Sequence, residues 1–92
     1  MAIRKVEYEM FHRWSDECGL LKPMLKTCSK HAVTLRDVYG PSRTPSIVVA
    51  RWEVWSWLQT SKKKSSSEIG RAFGRCHTTV LHGVKKFRAG IL

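Results

Sequence analysis

The sequence predicts an all-α fold that ends in a helix-turn-helix. Apolar residues recur at helical spacing along most of the chain, and strand-like alternation is scarce. Residues 65–87 form two short periodic segments parted by a glycine. With 92 residues there is room for one domain. A chain of this size buries roughly 60–70% of the surface that its unfolded form exposes, so most apolar stripes are needed for the core.

The elements follow in order. Ile3, Val6, Met10 and Trp14 mark one face of a first helix over about residues 2–17, ended by Gly19. Pro23 suits a first helical position and opens a second helix to about Lys30. Thr34 is an N-cap for a short third helix through Leu35 and Val38, closed by Gly40. Gly40-Pro41-Ser42-Arg43 is a turn. Thr44-Pro45, a cap followed by proline, opens a long helix to about Thr60. Ile47, Ala50, Val54, Trp57 and Leu58 form its inner stripe, and Val48, Trp52 and Trp55 a second stripe. The first helix is expected to cover that second stripe; a partner surface or a homodimer through Trp14 or Trp52 is the alternative. Residues 61–66 are a polar connector.

Ser65 and Glu68 have capping-box spacing at the start of a helix from Ser66 to Phe73. Ile69 and Phe73 share its inner face, with the small Gly70 between them. Gly74 supplies the permissive backbone of a tight turn. The last helix runs from near Cys76 to about Ala89, with Val80, Val84, Phe87 and Ile91 inward and Gly83 alongside. Thr78, His82 and Lys85 then lie opposite the core, flanked by Arg75 and Lys86.

Charge narrows the function. The formal net charge is +10. Residues 1–61 carry nine Lys/Arg against six Asp/Glu, whereas residues 62–92 carry eight against Glu68 alone. A basic block on a helix-turn-helix points to a polyanion, with a solvated basic face as the bland alternative. In such units the second helix lies in the major groove and its first residues meet base edges. Those residues are Cys76, His77, Thr78 and Thr79. Threonine can donate, accept, or offer a methyl to thymine; histidine can bond a base edge or phosphate; arginine can grip guanine or phosphate. An ordinary helical hairpin with a polar face is the competing reading.

Other chemistries find little support. Cys28 and His31 have a spacing that can hold a metal, but two ligands do not make a site, and no cofactor or metal is expected. The three cysteines show no CxxC pair, which fits a reducing compartment. Cys76, His77 and His82 lie on one helix without an orienting third group, so no enzyme is expected. No GxxxxGK[ST] phosphate loop is present, so no nucleotide is expected. No run approaches the ~20 apolar residues of a membrane span, and the N-terminus lacks signal-peptide features. A cytoplasmic location is expected.

Residues 67–82, Ser-Glu-Ile-Gly-Arg-Ala-Phe-Gly-Arg-Cys-His-Thr-Thr-Val-Leu-His, resemble the signature of the bacterial replication initiator DnaA, roughly IGxxFGGRDHTTVLHA. The resemblance extends upstream through residues 34–40, Ser42-Arg43 and residues 47–51, covering about 24–88. It implies a six-helix, Trp-repressor-like domain (domain IV) at 23–92, with 1–22 as a helical extension, that binds double-stranded DNA. It places Arg43 in the minor groove, Arg51 on phosphate, and Arg75, His77, Thr78 and Thr79 in or beside the major groove. Lys62, Lys85 and Lys86 are candidate phosphate contacts by charge and position, with free solvated lysines as the alternative. Three departures matter: only Gly74 stands in the turn, which is one residue shorter; Cys76 replaces the family's base-reading aspartate; and the basic loop has Thr44-Pro45 where the family is often more basic. A stand-alone domain without the AAA+ ATPase is expected, of phage or prophage type, acting in replication control or transcription regulation in the nucleoid or an infected cell. The alternative is an interaction or dimerisation module with only non-specific DNA affinity.

Overall fold

The computed structural model describes residues 5–90, and for residues 5 and 6 the backbone only. Six helices are present among them: α1 (Lys5–Glu17), α2 (Leu21–Lys30), α3 (Leu35–Tyr39), α4 (Pro45–Thr60), α5 (Ser66–Phe73) and α6 (His77–Arg88). The expected contributions of Ile3, Ile91 and the Val6 side chain lie outside the described residues. No helix among the described residues is long and apolar enough to cross a membrane. The chain divides into two compact units at residue 50, within α4.

In the first unit, the inner face of α1 is turned by one residue from its expected place. Met10 is 66% exposed, while Phe11 is buried with Ser15 beside it, and Trp14 is half-buried. The reason is aromatic packing that periodicity within one helix does not reveal. Phe11 and Tyr8 both meet Tyr39 of α3, at ring distances of 4.7 and 5.6 Å. The Ser15 hydroxyl is satisfied inside the helix by donating to the Phe11 carbonyl.

Helix α2 starts at Leu21, two residues before the expected proline. The first turn is closed by the Met24 amide on the Leu20 carbonyl. Pro23 therefore sits in the first turn, where a missing N–H removes no helical bond. Met24 and Cys28 are its buried residues. Burial, with Asp37 nearby, pushes the Cys28 thiol up to about 11. It is therefore a protonated core thiol at neutral pH. Helix α3 is closed by a full capping box: Thr34 accepts from the Asp37 amide, and Asp37 accepts from the Thr34 amide.

In the second unit, α4 is apolar nearly all round. Val54, Trp55 and Leu58 are buried, and Trp52 and Trp57 are half-buried. Trp57, expected on the inner stripe, is only half-buried, whereas Trp55 of the second stripe is 1% exposed. Within this unit Trp55 meets Phe73 edge to face at 5.9 Å. Trp52 and Trp55 both lie against Gly83, whose missing side chain leaves room for the indoles. The sequence assigned the cover of these rings to the first helix; the partners they have in this unit are Phe73 and Gly83. Ile69, Phe73, Val80 and Val84 complete the core, while Phe87 is half-buried.

Candidate nucleic-acid interface

The site is built from α5, α6 and the turn between them. Ser65 caps α5 by accepting from the Glu68 amide at 3.1 Å. The Glu68 carboxylate pairs with Lys64 at 3.2 Å. At the far end Gly74 takes the left-handed conformation (φ 68°, ψ 35°) that glycine adopts without strain. The Arg75 amide then reaches the Gly70 carbonyl at 2.7 Å, and the Gly74 amide points at Arg71. These paired bonds are a Schellman closure. A Cβ on Gly70 would stand 2.5 Å from the Arg75 carbonyl oxygen, so this glycine is what lets the turn fold back over α5.

Helix α6 emerges with a sharply divided surface. Val80, Gly83 and Val84 are buried, while Cys76, His77, Thr78, Thr79, His82 and Lys85 are exposed. Leu81 is 41% exposed and shares the face of Thr78, His82 and Lys85 by helical spacing. The sequence reading gave it no role, although its place three residues after Thr78 could have signalled one. The cations are less alike than their charges suggest. Lys85 is exposed and Lys86 half-buried. Lys62 is exposed, its ammonium 5.6 Å from the Trp57 ring centre. Arg75 is half-buried, donates to the Phe73 carbonyl at 3.1 Å and lies 5.6 Å from the Trp55 ring centre. Arg51 is only 7% exposed; burial, and then the like charge of Arg75, push its guanidinium down to about 10. At neutral pH it keeps its charge.

In the first unit Arg43 is exposed on the short segment before α4. That segment is ordered by its own side chains. The Ser42 hydroxyl donates to Thr44 Oγ1 and accepts from the Thr44 amide. Pro45 is the first residue of α4, where the fixed proline φ suits a helix start.

Residues 24–87 match the family of the bacterial dnaA protein helix-turn-helix. The chain belongs to that family. Among its relatives is the chromosomal replication initiator protein DnaA of Cereibacter sphaeroides, 37% identical over 76 residues, which are 80% of this chain and 17% of the initiator. The DnaA proteins of Ruegeria pomeroyi (39% over 62 residues) and Thermomicrobium roseum (43% over 60) match 66% and 64% of this chain, each over 13% of its own length. The chain thus spans under a fifth of the length of the curated relatives it matches. No solved structure matches it. Membership implies DNA binding, and the matched unit is a helix-turn-helix and not a catalytic domain.

Against the DnaA signature, the departures in the turn and at Cys76 acquire a physical content. The single glycine suffices because the Schellman closure needs only one left-handed residue, and Arg75 can follow in ordinary backbone conformation. Cys76 is the N-cap of α6, extended at φ −67° and ψ 149°, yet its side chain makes no cap hydrogen bond. Thiols are weak acceptors, so the first turn of α6 lacks a partner that an aspartate or serine would supply. Cys76→Ser is therefore expected to stabilise the fold by about 1 kcal/mol, read as a rise in Tm. Cys76→Asp should do the same and also restore a carboxylate that can accept from a cytosine amino group. If Cys76→Asp acquires a preference for cytosine that Cys76→Ser lacks, capping and base reading are separated.

Proposed function

We propose that the chain binds double-stranded DNA sequence-specifically, with α6 in the major groove. The single observation that supports this best is the exposed face of α6. Cys76, His77, Thr78 and Thr79 stand at its first turn, where a groove-bound helix meets base edges. His82 and Lys85 continue that face, and Lys86, Arg75 and Lys62 supply positive charge for the flanking phosphates. Arg51 is assigned to phosphate through the small edge it exposes. Arg43, on a separate ordered segment, is assigned to a narrow A·T-rich minor groove, where negative potential is strongest. The family match beginning at residue 24 supports treating 1–22 as an extension to the DNA-binding domain. The same reading places the protein on the nucleoid or on phage DNA, in control of replication or of transcription.

Selection of random duplexes against the purified protein tests this directly. An enriched motif is expected, and its symmetry reports whether one copy or two half-sites are read. Affinity should fall steeply with salt, and Lys85→Ala should weaken all duplexes alike and reduce the log–log salt slope by about 0.9. No enriched sequence would overturn the proposal and, with a salt-dependent affinity for all duplexes retained, would favour an interaction module with only non-specific DNA affinity.

A further inference from the structure

We propose that Trp55 is a positioning residue for Arg75: its indole face and the Phe73 carbonyl hold the guanidinium at the start of α6 in the pose in which it meets DNA. This rests on the DNA-binding reading above. The geometry that points to it is local and threefold. The Arg75 guanidinium carbon lies 5.6 Å from the Trp55 ring centre. One of its nitrogens donates to the Phe73 carbonyl at 3.1 Å, from two residues back along the chain. The Arg75 amide is itself pinned to the Gly70 carbonyl at 2.7 Å, so backbone and side chain are fixed together.

Trp55 is in turn held rigidly. It is 1% exposed, with Phe73 in edge-to-face contact at 5.9 Å and Gly83 close against its six-membered ring. A cation over an indole face is attracted by the ring quadrupole, and more strongly where water is excluded. The hold acts against a local repulsion, because the charge of Arg75 is near enough to Arg51 to weaken its hold on a proton. A guanidinium carries five donors in a planar fork, so the Phe73 bond does not exhaust it. An arginine that is already ordered loses less rotamer freedom on docking than one that is not. The sequence gives the arginine at the turn; only the fold brings residue 55 to it.

A double-mutant cycle on an enriched duplex tests this, using wild type, Trp55→Leu, Arg75→Ala and the double variant. Trp55→Leu should weaken binding about tenfold when Arg75 is present and less than about twofold in the Arg75→Ala background. Trp55→Phe, which keeps a ring face, should recover most of the loss. Equal losses in both backgrounds would show that Trp55 acts only through stability and would overturn the proposal. If Trp55→Leu fails to fold, NMR of the wild-type protein decides. The Arg75 side-chain protons should be ring-current shifted in the free protein and remain so on the duplex. Absence of that shift, or its loss on binding, overturns the proposal while leaving DNA binding intact. Absence of any salt-dependent DNA binding by wild type overturns both.

Discussion

Gly70→Ala is expected to destabilise the protein by about 3 kcal/mol, at the upper end of the range for overpacking a closed site. The added methyl would stand 2.5 Å from the Arg75 carbonyl oxygen and 3.3 Å from the His77 amide nitrogen. Both are backbone atoms, so no side-chain rotation relieves the clash. The same residue accepts the 2.7 Å bond from the Arg75 amide, and moving the turn away would break that closure too. Against a total stability of roughly 5–15 kcal/mol for an ordinary domain, such a loss is large. Denaturant unfolding measures it. A variant within about 0.5 kcal/mol of wild type would mean that α5 and α6 do not cross as described.

Gly83→Ala should cost about 2 kcal/mol, again by overpacking, but its cost should be reversible by a second change. A methyl there would lie 2.5 Å from Cδ1 and 2.8 Å from Nε1 of Trp52, and 3.0 Å from Trp55. Trp55 is locked in the core, whereas Trp52 is half-buried and has somewhere to go. This makes the effect smaller than at Gly70. The DnaA signature carries alanine at this position, so the substitution looks harmless by resemblance alone. Here the glycine goes with a tryptophan at residue 52. Trp52→Leu combined with Gly83→Ala should therefore recover most of the stability that Gly83→Ala loses. Additive losses in the double variant, read from urea midpoints, would show that the two residues are not coupled.

These two glycines also show what was legible in the sequence. The small residue between Ile69 and Phe73 marks a close approach, as does the glycine beside Val80 and Val84, while the glycine that ends α5 has open space around it and serves the left-handed turn. Helix existence and order were legible because caps and periodicity agreed, as at Thr34 and Ser65. What periodicity could not supply was the choice between adjacent apolar residues on a helix apolar all round. Trp55 turns inward and Trp57 outward because Phe73 and Gly83, far along the chain, offer a slot to one of them. Phe11 displaces Met10 from the core of the first unit for a similar reason, since Tyr39 awaits an aromatic partner. For the candidate site, residue types and helical face were legible. The tethering of Arg75, the burial of Arg51 and the uncapped N-terminus of α6 were not, because each depends on atoms brought together by the fold.

The central claim, that DNA lies across the first turn of α6, is tested most directly by thiol protection. The cysteines form a natural set of probes: Cys18 and Cys76 are exposed, and Cys28 is buried with its thiol pushed up to about 11. In the free protein, alkylation should modify Cys18 and Cys76 readily and Cys28 slowly. Under saturating duplex, with binding followed independently by fluorescence anisotropy, Cys76 should become protected while Cys18 reacts as before. Undiminished labelling of Cys76 on fully bound protein would place the duplex elsewhere and contradict the account.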